Sequence, residues 1–192
     1  YELLLTTGRL YPKVTAEQVK GGQAFLLKGG VRVVTSHIRP ILSILTYREL
    51  LFFLNVRKLS GAVRDAAKAL AQSNLLELLG RAHQSDGPFY FRLGIQSRML
   101  LAQRSKFAKE CAFALEQESG RRLRNSTSGY EVEIRLIESS DGTFLPLVKL
   151  FTFAENRFAY RKCTIAASIK PEQAALAARL ARPYMQEGAQ VL

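Results

Sequence analysis

The sequence predicts an α+β fold, and three stretches carry that prediction. Phe89, Phe91, Leu93 and Ile95 alternate with Tyr90, Arg92 and Gly94, and Tyr130, Val132, Ile134 and Leu136 alternate with Glu131, Glu133 and Arg135. Both have the period of a half-buried strand. Between them Phe107, Cys111 and Leu115, with Ala108 and Ala112, recur at helical spacing and make one apolar stripe. A chain of 192 residues, 47% of them hydrophobic, is long enough to bury a real core as one domain or two small ones.

From the first residue, Leu3, Leu5 and Thr7 alternate in a strand, and Thr15–Lys20 reads as a short helix. Gly21-Gly22 and Gly29-Gly30 bracket a strand over Gln23–Lys28, and Val31–Thr35 follows as another. The glycine pairs lack the Lys-Ser/Thr and the G-x-G-x-x-G spacing of phosphate loops, so they are read as tight turns. A helix is expected to open at Pro40 and to carry Ile41, Leu42, Ile44, Leu45, Leu51, Phe52 and Leu54 on its apolar side. Ser60 is placed as the cap of a second helix through Leu70, with a restart at Ser73 or Asn74 and a stop at Gly80.

The polar, turn-rich stretch Arg81–Pro88 is the expected domain boundary. After the strand at Phe89, Ser105 is expected to cap a helix that Gly120 closes. The strand at Tyr130 is followed by the turn Asp141-Gly142 and a strand around Thr143–Thr152, where Pro146 argues for an edge or a bulge. Lys170-Pro171 starts an alanine-rich helix that stops before Pro183, and Gln190–Leu192 reads as the opening of a further strand.

Charge narrows the function. Lys and Arg number 28 against 16 Asp and Glu, a net +12. Before Phe89 there are 12 basic and 6 acidic residues, and from it onward 16 and 10, so both halves carry +6. Such an excess raises the local concentration of polyanions and suits a phosphate backbone. No apolar run approaches the ~20 residues needed to cross a bilayer, Leu50–Leu54 being the greasiest stretch, so no membrane partner is expected. No basic n-region precedes an apolar segment, and a cytoplasmic setting is expected. Cys111 and Cys163 have no CxxC spacing, and the chain has two histidines, which argues against a metal site. Two buried free thiols are expected, a disulfide being the alternative.

The joint near the C-terminal end carries a resemblance. Arg157–Arg161, then Ala166-Ala167-Ser168-Ile169-Lys170-Pro171, then Ala174-Ala175-Leu176 resemble the segment that connects a THUMP domain to the Rossmann-like catalytic domain of S-adenosylmethionine-dependent RNA guanine-N2 methyltransferases. The resemblance implies an N-terminal ferredoxin-like domain over residues 1–80, a THUMP-type α/β module over 85–165, and a linker helix with the start of the catalytic domain over 166–192. It also implies that this chain ends ahead of the Asp-Pro-x-Cys-Gly and Asn-Pro-Pro-Tyr motifs, neither of which it contains. S-adenosylmethionine is thus implied for the parent protein and no cofactor for this chain. The implied partners are RNA, with tRNA foremost, and the catalytic domain of the same parent.

With no catalytic residue legible, binding remains. Arg104, Lys106 and Lys109 lie at the expected start of the Ser105 helix, where free backbone N–H groups favour phosphate. Arg121, Arg122 and Arg124 lie in the Gly120–Gly129 stretch with Asn125, Ser126, Thr127 and Ser128, a mixture suited to phosphate and 2′-hydroxyl contacts. Arg161, Lys162 and Lys170 at the joint complete the RNA-binding candidates. Three readings stand: an RNA-recognition portion, an enzyme in its own right, and a basic adaptor for an acidic protein.

Overall fold

A computed structural model describes residues 1–7, 11–82, 87–151, 158 and 169–185. The fold is α+β. Contacts divide the chain into two compact units, Tyr1–Leu50 with Glu155–Leu192, and Leu51–Ala154. The division falls well before the turn-rich stretch at 81–88, because the helix Val63–Ala71 ahead of that stretch packs on the helix Leu101–Glu118 after it.

The first unit runs β1 (Glu2–Thr6), α1 (Pro12–Ala16), β2 (Gly22–Leu27), β3 (Gly30–Thr35), α2 (Arg39–Leu42) and the start of β4 (Glu49–Phe53). This is the β-α-β-β-α-β order of a ferredoxin-like unit, with both helices reduced to about one turn. β3 pairs antiparallel with β1 and with β2, setting Leu3 opposite Val33 and Leu5 opposite Val31. All four side chains are fully buried. Gly29 turns β2 into β3 with φ +83°, and a Cβ on Gly30 would meet the Leu5 carbonyl at 2.7 Å. Glycine is required there by backbone conformation and by close approach, as the turn reading expected. Under the sheet, Thr15 Oγ1 and Thr46 Oγ1 lie 2.8 Å apart, and the Gln18 amide donates to Thr46 Oγ1 at 2.8 Å. α6 (Pro171–Ala181) belongs to the same unit, with Pro171 in its first turn, Leu176 buried and Glu172 3.7 Å from Arg48.

One expectation fails here. The helix from Pro40 to Leu54 is instead the four-residue α2 and then strand β4. Leu50, Leu51 and Phe52 are all buried, so the strand is covered on both faces. A short apolar run of this kind has no period that separates strand from helix.

The second unit continues with α3 (Val63–Ala71), α4 (Leu75–Ala82), β5 (Phe89–Gln96), α5 (Leu101–Glu118), β6 (Leu123–Asn125), β7 (Val132–Glu138) and β8 (Phe144–Leu150). Its strands lie in the order β4-β8-β7-β5-β6. β5 is parallel to both β6 and β7, so α5 is the crossover helix that parallel pairing needs. The core collects Ala66, Ala67 and Leu70 of α3, Phe107, Cys111, Ala112 and Leu115 of α5, and Phe91, Ile134 and Leu136 of the sheet. The Phe107 and Phe144 rings lie 5.3 Å apart. Cys111 is a buried free thiol, and Cys163 lies outside the described residues.

Several boundaries move. α3 starts at Val63, and Ser60 Oγ accepts the Ala62 N–H instead of capping the helix. Ser73 Oγ does accept the Leu75 N–H, and α4 runs through Gly80 to Ala82. β8 lies between β4 and β7, so Pro146 is on an inner strand. Its tolerance has a local cause. Phe144 exchanges hydrogen bonds with Leu59, on the side away from β7, and two residues later Pro146 faces that same side. It falls between the Leu59 bridge and the Phe52–Val148 pair, where no ladder bond is needed. At the β7–β8 turn, the Lys58 ammonium and Thr143 hold the Asp141 carboxyl well below the usual carboxylate range.

Candidate nucleic-acid interface

β6 pairs with β5 only as far as Phe91, so among the described residues the remainder of β5 has no strand on that side, and α5 contacts β5. Three hollows are each lined by residues of both β5 and α5. The first, of about 450 Å³, is lined by Tyr90, Phe113, Glu116, Arg121, Arg124 and Asn125 among others. The second, of about 280 Å³, shares Asn125 and Ser126 with it and adds Arg92, Lys109 and Thr127. The third, of about 430 Å³, shares Arg92 and Ala108 with the second and adds Gly94, Gln96, Arg104 and Arg135. Because the second shares residues with each of the others, the three adjoin in a trough, each part of it lined by arginine or lysine, with Glu116 in the first and Glu133, paired with Arg135, in the third.

On α5, Arg104 and Ala108 lie one turn apart and so do Lys109 and Phe113, but the two pairs are on different faces of the helix, so the hollows take residues from more than one face. Lys106, 3.9 Å from Glu110, is not among the lining residues of these hollows. The helix itself starts earlier than Ser105. Its N-cap is Leu100, without a side-chain cap bond, because Leu101-Ala102-Gln103-Arg104 are all strong helix formers. The Arg104 N–H already donates to the Leu100 carbonyl at 2.9 Å. Arg104, Lys106 and Lys109 therefore offer side-chain charge and no free backbone N–H, which corrects the helix-start argument for them.

The Gly120–Gly129 stretch is not all loop either. Gly120 and Arg121 both adopt left-handed backbone, φ +61° and +62°, and the chain then enters β6, which contains Arg124. A positive φ is rare in a residue with a side chain and signals a backbone held by its surroundings. The Arg121 N–H donates to the Glu116 carbonyl at 2.9 Å, and the Glu116 carboxylate accepts the Asn125 N–H. The Ser126 N–H donates to the Phe91 carbonyl at 2.8 Å, and the Ser126 hydroxyl donates to the Ser128 carbonyl. The polar stretch is thereby pinned to both β5 and α5. Arg122 is exposed and absent from the lining of the three hollows, its carbonyl accepting the Phe89 N–H.

Of the nine sequence candidates, Arg104, Lys109, Arg121 and Arg124 meet at the trough, and Lys106 and Arg122 do not. Lys170 is exposed at the start of α6 in the other unit. Arg161 and Lys162 lie outside the described residues. The sequence reading missed Arg92, Phe113, Tyr90 and Arg135 among the trough residues, Arg135 being paired with Glu133 at 3.0 Å. The Arg92 guanidinium sits over the Tyr130 ring at 5.7 Å and donates to its hydroxyl at 3.2 Å. Phe113 is 64% exposed and Tyr90 43% exposed. A signal for them existed, since both aromatics fall out of phase with the core periodicity of their elements.

The fold is shared with solved structures. TrmN from Thermus thermophilus matches over 95% of this chain at 18% identity and a TM-score of 0.57. A predicted N6-adenine-specific DNA methylase from Listeria monocytogenes matches over 94% at 12% identity and a TM-score of 0.64. The chain spans about half of each, 54% and 48% of their lengths. No protein-family model and no curated protein matches it.

Proposed function

We propose that this chain is the RNA-binding portion of an S-adenosylmethionine-dependent RNA methyltransferase. On this reading Leu51–Ala154 is its THUMP-type unit, and the chain positions RNA, tRNA foremost, for base N-methylation by a catalytic domain outside these residues. The observation that carries the reading is the trough that gathers Arg92, Arg104, Lys109, Arg121 and Arg124 from β5, α5, β6 and the turn between them. Guanidinium groups present a fixed fork of donors that matches phosphate. The neighbouring Asn125, Ser126 and Thr127 add groups that can meet a 2′-hydroxyl. The net charge of +12, the resemblance at the joint and a fold shared with part of a methylase structure support the same reading.

The glycine pairs do not form a loop for the methyl donor. Gly21 and Gly29 serve antiparallel strands, whereas a cofactor loop needs glycine where a strand passes into a helix. The chain's own contribution is then binding and orientation. A mobility-shift titration with tRNA across a salt series tests this. Binding that weakens steeply with salt is expected, and failure to bind any RNA at low salt overturns the reading.

A further inference from the structure

We propose that the first hollow of the trough is a site for an unpaired nucleobase, which stacks on Phe113 and Tyr90 while its flanking phosphate rests on Arg121 and Arg124. The inference rests on the RNA reading above and deepens it.

Four observations converge. Phe113 and Tyr90 leave much of their rings in water although neither is at a chain end, and both line the same hollow. That hollow, at about 450 Å³, has room for a base and its sugar, and it opens directly to solvent. Its wall holds two aromatic rings and two guanidinium groups, the combination that single-stranded nucleic acid uses: a π-face for the base and a fixed cation for the backbone. Arg121 is held there in left-handed backbone by its bond to the Glu116 carbonyl, a strain that the fold maintains at the rim of the hollow. The one carboxylate in the wall, Glu116, already accepts the Asn125 N–H, and two arginines line the same hollow. A base inside a duplex keeps both faces on its neighbours and cannot enter, so the site selects unpaired nucleotides.

The test uses single-stranded RNA with one 2-aminopurine, a blunt RNA duplex of equal length, and 2-aminopurine riboside monophosphate as the free-nucleotide control. Wild-type protein should quench the 2-aminopurine of the single strand. Phe113→Ala and Tyr90→Ala should weaken single-strand binding roughly five- to hundredfold, the usual worth of one base–aromatic stack, and leave duplex binding unchanged. Phe113→Leu, which keeps apolar bulk and removes the ring, should lose the quenching as Phe113→Ala does. Arg121→Ala should weaken both RNAs. If folded Phe113→Ala and Tyr90→Ala bind and quench the single strand as wild type does, the base site is overturned and the RNA reading stands. If the free nucleotide is quenched as strongly as the oligonucleotide at equal concentration, the assignment to RNA is overturned in favour of a mononucleotide pocket. If wild type binds neither RNA, both proposals fail.

Discussion

The backbone N–H of Arg121 is bonded to the carbonyl of Glu116 at 2.9 Å, and Arg121 sits there at φ +62°. Left-handed backbone costs an L-residue about 1–2 kcal/mol, and glycine would relieve it at some cost in unfolded-chain entropy. Arg121→Gly is expected to stabilise the fold by roughly 0.5–1 kcal/mol and to weaken RNA binding. A thermal melt and a binding isotherm on the same sample check this opposition. A loss of stability would mean that the Arg121 side chain does more for the fold than for ligand.

Removing trough charges one at a time should flatten the salt dependence of RNA binding. Arg92→Ala, Arg104→Ala, Lys109→Ala and Arg124→Ala should each reduce the slope of log affinity against log salt by somewhat less than about one unit. Lys106→Ala and Arg122→Ala, off the trough, should change it much less. Equal effects from all six would show that diffuse charge, and not this groove, attracts the RNA.

Thr46 lies nearly buried in the first unit, with Thr15 Oγ1 and the Gln18 amide both 2.8 Å from its hydroxyl. Thr46→Val keeps the shape and removes one hydrogen bond from each partner, while Thr15 Oγ1 keeps the residue-46 carbonyl at 3.4 Å and the Gln18 amide keeps the Val14 carbonyl at 2.8 Å. A net hydrogen bond contributes about 0.5–1.5 kcal/mol, so the urea midpoint should fall by a corresponding amount. RNA binding should be unaffected, because none of these residues lines the trough.

Burial pushes the Cys111 thiol up to about 11 from its ordinary value near 9. The folded chain therefore keeps its proton to higher pH than the unfolded chain does. Between pH 9 and 11 the unfolded state releases this proton first, so stability is lost as pH rises through that window. Cys111→Ala should lose less stability there than wild type in chemical melts. The native thiol should also resist alkylation at pH 8 until denaturant is added.

What the sequence determined by itself was local. The alternation in Phe89–Ile95 and Val132–Leu136 marked two strands, the stripe of Phe107, Cys111 and Leu115 marked the buried face of α5, and the glycines marked turns, because each signal is complete within a few residues. Net charge and the basic residues around α5 and Gly120 pointed to a polyanion. Only tertiary structure decided that Leu50–Phe52 form a strand, since burial on both faces erases the period that would reveal it. Only tertiary structure separated Arg104 and Lys109 from Lys106, and Arg121 and Arg124 from Arg122. It did so through where the crossover of α5 and the short pairing of β6, which ends at Phe91, bring residues of helix, strand and turn together. Which cations share a groove depends on where that crossover returns to the sheet, and no local pattern of residues encodes that distance.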